Sequence, residues 1–136
     1  MKFSVVTPTY NRSNYVAQTI ESVLSQKGDF EIEYIVMDGG STDDTLRVIQ
    51  ACQEKIENGQ YSIQCRAVTM KVISEKDSGS CDAYAKGFAL ATGDIFSGLG
   101  SDDMLLPGAL ATMRDAFTNH SKIEWVRGRH ALMSPS

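Results

Sequence analysis

Short β-branched runs alternate along this chain with stretches whose apolar residues recur at helical spacing, and that alternation limits the fold more than any other feature. FSVVTPT (3–9) reads as a first strand, which Pro8 is expected to end because proline cannot donate to a central ladder. Val16, Ile20, Val23 and Leu24 then share one helical face, with Ser13 or Asn14 as the expected N-cap. IEYIVMD (32–38) reads as a second strand. GGSTDDT follows with a glycine turn, a cap at Ser41 or Thr42, and acids that suit a helix N-terminus. Leu46, Ile49 and Ile56 mark the inner face of that helix. KVISE (71–75) is a third strand, followed by a small-residue helix bearing Tyr84, Gly87, Phe88 and Ala91. DIFSGLG (94–100) is a fourth, and Pro107 suits the first turn of a helix with Leu110, Met113 and Phe117 inside. Alternation in YSIQCRAV (61–68) predicts a short extra strand or hairpin arm, and EWVRG (124–128) a fifth strand.

Such alternation predicts an α/β fold: a mostly parallel, Rossmann-like sheet with helices on both faces. Ligands of these sheets bind in the crevice beyond the carboxyl ends of the strands. The polar segments fall there: TPTYNR after the first strand, DGGSTDD after the second, EKDSG after the third and GSDD after the fourth. With 136 residues the chain is expected to form a single domain, 1–136. A net charge of −4 leaves no basic footprint for nucleic acid. Cys52, Cys65 and Cys81 are odd in number and lack CxxC spacing, which reads as reduced thiols, not a disulfide framework or zinc site. The apolar run in MKFSVVTPTYN is too short to read as a signal peptide, and no stretch approaches ~20 apolar residues. The expected setting is therefore cytoplasmic, with room for peripheral work at the inner face of a membrane.

Asp102 and Asp103 stand side by side in GLGSDDMLLPG. At about 5 Å and an effective dielectric of ~20, two such charges repel by roughly 3 kcal/mol. The pair reads either as a solvated acidic entrance to a helix or as hard-oxygen ligands for Mg²⁺ or Mn²⁺. Its place among other strand-end acids favours the metal. Asp38 ends the second strand, where it can accept from a ribose or base, or cap the DGGS turn. Thr7, Pro8, Thr9 and Tyr10 form a stiff loop suited to holding a base. Neither GxGxxG nor GxxxxGK[ST] occurs, which argues against a dinucleotide fingerprint and a P-loop. His120 and His130 are isolated, without partner spacing.

TPTYNR, DGGSTDDT, SEKDSGSCDAYAKGFALATGD and GSDDMLLPGAL, in this order and spacing, resemble the family-2 glycosyltransferases of GT-A fold, in particular bacterial enzymes of surface-polysaccharide assembly. The likeness runs from Lys2 to about Phe117. It implies metal-dependent, inverting transfer from a nucleoside-diphosphate sugar, with a UDP-sugar expected, to a saccharide or lipid-linked acceptor. Carried over by position, it implies that Thr7, Pro8, Thr9, Tyr10 and Asp38 line the base and ribose, with Arg12 a further donor-binding residue. Asp77, Asp82 and Lys86 would border the nucleotide, Asp102 would approach the ribose or sugar, Gly79 and Ser101 would be further donor-binding residues, and Asp103 would ligate the Mn²⁺ or Mg²⁺ that bridges the diphosphate. A bound cation also explains how an acidic protein takes a polyanion.

The chain departs from the family pattern at Ala85, where Asn is usual, at Cys81, where an aromatic is common, and at Gly100, where Asn often precedes SDD. Inverting transfer needs a general base for the acceptor hydroxyl. In the family that carboxylate comes from the acceptor half, so the expectation is a donor-binding half, whose open sheet edge favours homo-oligomers. Asp115 on a helix and Glu124 on a strand fall away from the ligand edge. The competing reading is a non-catalytic nucleotide-sugar-binding or assembly module. A nucleotidyltransferase would want a basic glycine-rich loop after the first strand, which TPTYNR is not.

Overall fold

A computed structural model describes residues 1–132. Four strands and four helices alternate: β1 (Lys2–Thr9), α1 (Val16–Leu24), β2 (Glu31–Asp38), α2 (Thr45–Glu57), β3 (Ala67–Ser74), α3 (Ser80–Leu90), β4 (Ile95–Gly98) and α4 (Ala109–Asn119). The strands form one parallel sheet of order β3-β2-β1-β4. β1 and β2 are buried on both faces; their centres are apolar, and the polar side chains they bury, Ser4, Thr7, Thr9, Glu33 and Asp38, lie towards the strand ends. One face carries Phe3, Val5, Ile32, Tyr34, Val36 and Met70 under α1, α2 and α4. Val6, Ile35 and Met37 turn the other way, against Ala83 of α3. Helices therefore cover both faces, as the alternation predicts.

Pro8 does not end β1; it pairs in register with Met37. Val6 O accepts from Leu99 N on the β4 side, whereas Thr9 O accepts from Gly39 N on the β2 side. Pro8 shares Val6's parity and so turns its nitrogen towards β4, two residues past the last β1–β4 pair. No ladder bond is forfeited there.

Other expectations shift for local reasons. Ser13 and Asn14 do not cap α1; Tyr15 takes that place, and Arg12 O accepts from the N–H groups of Tyr15 and Val16. Ser41 and Thr42 do not cap α2, because the Ser41 hydroxyl binds Asp38 and Thr42 binds Asn11. Asp43 instead accepts from Thr45 N at 2.9 Å. The predicted extra strand is absent: residues 61–66 are irregular, and β3 starts at Ala67, where β2 first offers it a partner in Glu31. Pro107 lies in the turn before α4, which begins only after Gly108 has taken a left-handed φ of 83°. EWVRG joins no ladder among the described residues, and Trp125 is 75% exposed.

Towards the amino end of the sheet, Glu33 is 2% exposed, yet its carboxylate is fully engaged. It accepts from Ser4 Oγ at 2.7 Å, Thr92 N at 2.8 Å, Thr92 Oγ1 at 2.9 Å and Lys71 Nζ at 3.1 Å. Burial pushes this carboxyl up, but the Thr92 amide, Ser4, Lys71 and the Thr92 hydroxyl together outweigh it and hold it at about 2. A carboxyl depressed on folding stabilises the protein fully above its unfolded value of ~4.3 and loses that contribution as pH falls towards the folded value. Glu33→Gln is therefore expected to cost about 3 kcal/mol at pH 7 and to flatten the decline in stability between pH ~4.5 and ~2. Urea melts across that range check both.

Candidate functional site

A cleft of about 570 Å³ opens at the carboxyl ends of the strands. It is lined by Pro8, Thr9, Tyr10 and Arg12 after β1, Gly39 and Gly40 after β2, Lys76, Asp77 and Gly79 after β3, and Ser80, Ala83 and Ser101 beyond. Strand order places a topological switch between β1 and β4, since β2 and β3 extend the sheet to one side of β1 and β4 to the other. Crevices form at such reversals.

Polar contacts stitch the loops after β1 and β2 together. Asn11, with a left-handed φ of 51°, donates its N–H to Ser41 Oγ at 2.9 Å and accepts from Thr42 N at 2.8 Å. Arg12 N donates to Thr45 Oγ1 at 2.8 Å. Beneath them Asp38, 2% exposed, accepts from Gly40 N at 3.2 Å, Ser41 N at 3.0 Å, the Ser41 hydroxyl and Ser74 Oγ at 2.7 Å. Asp38 thus ties the end of β2 to the end of β3 below the cleft floor. Thr7 is also buried and accepts from the Tyr34 hydroxyl at 2.9 Å.

Thr9 differs from both. It is 5% exposed, it lines the cleft, and its Oγ1 is buried without a hydrogen-bond partner. An orphan buried hydroxyl costs about 1–3 kcal/mol, which a ligand group could recover. Arg12 and Lys76 bring cations to the same cleft, and neither joins an ion pair among the described residues.

Asp77 closes the β3–α3 loop by accepting from Gly79 N at 3.0 Å. It lies so close over Gly39 that a Cβ there would stand 2.8 Å from Asp77 Oδ2. Asp82 accepts from Ser78 N at 3.0 Å and pairs with Lys86 at 3.1 Å; Lys86 also reaches Glu75 at 3.3 Å. The Ser78 amide and then Lys86 hold the Asp82 carboxyl below its ordinary value, and Asp82 raises Lys86 in turn. Lys86 and Asp82 brace this loop from outside the cleft.

Asp102 and Asp103 are exposed beside the buried Ser101. A Cβ at Gly100 would stand 2.7 Å from Asp103 Oδ2 and 3.4 Å from Asp102 Oδ1, so both carboxylates fold over one glycine. Burial, then Asp103, then Asp102, raise the Tyr84 hydroxyl above its usual value, which places that phenol in the field of the pair. Among the described residues no group of three or more His, Cys, Asp or Glu could hold a metal. Two converging carboxylates suit a cation such as Mn²⁺ or Mg²⁺ that takes its remaining ligands from phosphate and water. Asp115 pairs with Arg114 at 2.8 Å. Glu124 lines a separate cleft with Gly93 and Asp94, at the amino end of β4.

Of the residues expected at the site, Pro8, Thr9, Tyr10, Arg12, Asp77, Gly79 and Ser101 meet in the cleft. Thr7 and Asp38 underlie it, Asp82 and Lys86 brace it, and the Asp102–Asp103 pair stands outside its lining. Lys76 went unremarked in the sequence, although it is the cation of the EKDSG segment. Gly39→Ala is expected to evict the Asp77 carboxylate and release Gly79 N–H, at about 1 kcal/mol for the lost bond. Amide exchange at Gly79 should accelerate severalfold while core amides of β1 and β2 stay protected.

Comparison with known proteins agrees with this fold. The profile for glycosyl transferase family 2 matches residues 4–131. Chondroitin synthase of Escherichia coli is 34% identical over 114 residues, covering 84% of this chain and 15% of that protein. The crystal structure of S. aureus TarS 1–349 superposes with a TM-score of 0.69 at 26% identity, covering 98% of this chain and 39% of that one; the same protein has been crystallised with UDP-GlcNAc and with UDP. Mannosyltransferase PcManGT of Pyrobaculum calidifontis, in complex with GDP-Man and Mn²⁺, shares the fold with a TM-score of 0.71 at 21% identity, over 85% of this chain and 32% of its own. The chain spans about a third or less of the length of the curated relatives it matches. With four strand-end segments converging on one cleft and a family profile covering nearly every residue, this chain belongs to glycosyl transferase family 2.

Proposed function

We propose that the cleft binds a nucleoside-diphosphate sugar, a UDP-sugar foremost, and that Asp103 would hold the Mn²⁺ or Mg²⁺ that offsets the charge of its diphosphate. The observation that carries this reading is the pairing of Thr9, a cleft-lining residue whose buried hydroxyl has no partner, with two exposed carboxylates folded over Gly100 at the same sheet edge. TarS with UDP-GlcNAc and PcManGT with GDP-Man and Mn²⁺ support it by fold.

In this reading Thr9 and Tyr10 contact the base, while Thr7 and Asp38 keep the ends of β1 and β2 in place beneath it. Arg12 and Lys76 offset diphosphate charge, Asp77 and Gly79 shape the loop over the nucleotide, and Asp82 and Lys86 hold that loop shut. Ser101 and Asp102 orient the ribose or sugar. The cation, when bound, stabilises the charge that develops on the departing nucleoside diphosphate. Inverting attack by a saccharide or lipid-linked acceptor also needs a general base. Asp38, Asp77 and Asp82 are each held by main-chain N–H groups. Asp102 and Asp103 are assigned to donor and cation, so the base is a residue outside these five. Peripheral attachment to a membrane surface is part of the proposal; among the described residues no helix is long and apolar enough to cross a bilayer.

Titration calorimetry with UDP tests the reading. Mn²⁺ should tighten UDP binding at least tenfold, about 1.4 kcal/mol, and Asp103→Ala should remove that gain while leaving metal-free binding intact. Thr9→Val should weaken UDP by roughly five- to tenfold with or without metal, as expected for one buried hydrogen bond. No binding of UDP, or a metal effect indifferent to Asp103→Ala, would sink it.

A further inference from the structure

Helix α1 buries three polar side chains, Thr19 (0% exposed), Ser22 (6%) and, just past its end, Gln26 (2%). They stand at i, i+3 and i+7, one above another on the side that also carries Val16, Ile20 and Val23. Leaving such groups unpaired in an apolar interface is costly, and each is in fact paired to one stretch of main chain. Thr19 Oγ1 donates to Asp103 O at 2.7 Å, and Ser22 Oγ accepts from Leu105 N at 3.0 Å. Gln26 Nε2 donates to Leu106 O at 3.0 Å, while its Oε1 accepts from Leu110 N at 3.1 Å. Within α1, Ser22 Oγ donates to Thr19 O at 2.7 Å and Gln26 Nε2 to Ser22 O at 3.1 Å.

The stretch so held, from Asp103 to the start of α4, has little regular structure of its own. Its internal main-chain bonds are Asp103 N to Gly100 O and Ala109 N to Leu106 O, both 3.1 Å. A segment without a ladder must satisfy its buried amides and carbonyls with side chains. The four bonds from α1 do so, two by donating and two by accepting.

We propose that Thr19, Ser22 and Gln26 are positioning residues for the Asp102–Asp103 pair, α1 acting as the rail that sets the main chain carrying the cation-binding carboxylate. This rests on the reading of Asp103 as metal ligand. Thr19 is the decisive member, because its hydroxyl grips the carbonyl of Asp103 itself. A carboxylate on a loosened loop keeps its charge but loses its aim, so cation affinity falls while the nucleotide cleft, whose lining apart from Ser101 comes from the loops after β1, β2 and β3 and the start of α3, keeps its shape.

Thr19→Val removes the hydroxyl at nearly constant volume, and Thr19→Ser restores it. In the 136-residue chain saturated with UDP, Thr19→Val should weaken Mn²⁺ binding, read by electron paramagnetic resonance, about tenfold. Thr19→Ser should stay within twofold of the parent, and UDP affinity without metal should be unchanged in both, which also reports that they fold. Amide exchange at Leu105 and Leu110 should accelerate at least tenfold in Gln26→Met, with β1 amides unaffected. If Asp103→Ala abolishes Mn²⁺ binding while Thr19→Val leaves it within twofold, the positioning role is overturned and the metal reading stands. Should Asp103→Ala leave Mn²⁺ binding unchanged, both fall together. Unchanged exchange at Leu105 and Leu110 in Gln26→Met overturns the rail whatever the metal does.

Discussion

Eight consecutive register pairs join β1 to β2, from Lys2 opposite Glu31 to Thr9 opposite Asp38, whereas β1 and β4 share only four, ending at Val6 opposite Gly98. This unequal pairing is the constraint on which the site depends. It carries Thr7, Pro8 and Thr9 beyond the end of β4, leaving one flank of β1 without a partner strand. Proline is tolerated on that flank because no donor is required there. Thr9 keeps a hydroxyl that the fold never uses, because the neighbouring groups are already committed to the β2 side. The crevice at the switch point follows from a strand that stops early, not from a cavity carved into a finished core.

The sheet separates two kinds of carboxylate along its length. At the amino end Glu33 is buried, saturated with donors and strongly acidic, a structural anion whose work is complete in the folded chain. At the carboxyl end Asp38 is likewise consumed by main-chain and hydroxyl donors, yet Asp102 and Asp103 remain exposed over Gly100. Burial decides the difference. A buried acid must find its partners within the chain, while an exposed pair can keep its mutual repulsion until a cation relieves it. A protein of net charge −4 thus keeps Arg12 and Lys76 in the cleft and two exposed carboxylates, Asp102 and Asp103, at another part of the same edge.

Much of this was legible in the residues. β-branched runs against helical periodicity predict the parallel sheet with helices on both faces, and the polar segments after each run predict which edge binds. Misreadings cluster where a side chain had two possible employers. Ser41 and Thr42 look like helix caps, but Asp38 and Asn11 claim them first, so α2 starts at Thr45. YSIQCRAV alternates as a strand should, but β2 offers no partner before Glu31. The polar stripe of Thr19, Ser22 and Gln26 drew no notice, because serine and threonine in an apolar helix carry no signal until the loop they hold is seen.

By itself the sequence determined the order of strands and helices, the α/β class, the edge that carries the site and the family, because hydrophobic period and strand-end composition are local properties. Only the tertiary structure decided which of those residues face the cleft and which serve beneath it. Thr9 and Asp77 line the cleft, Thr7 and Asp38 are spent as struts, and Lys86 braces a loop from outside. The reason is physical: a hydroxyl or carboxylate is available to a ligand only if no closer donor or acceptor has already taken it. That is settled by neighbours tens of residues away in the chain, as Thr19 and Asp103 are, and not by the motif in which the residue is written.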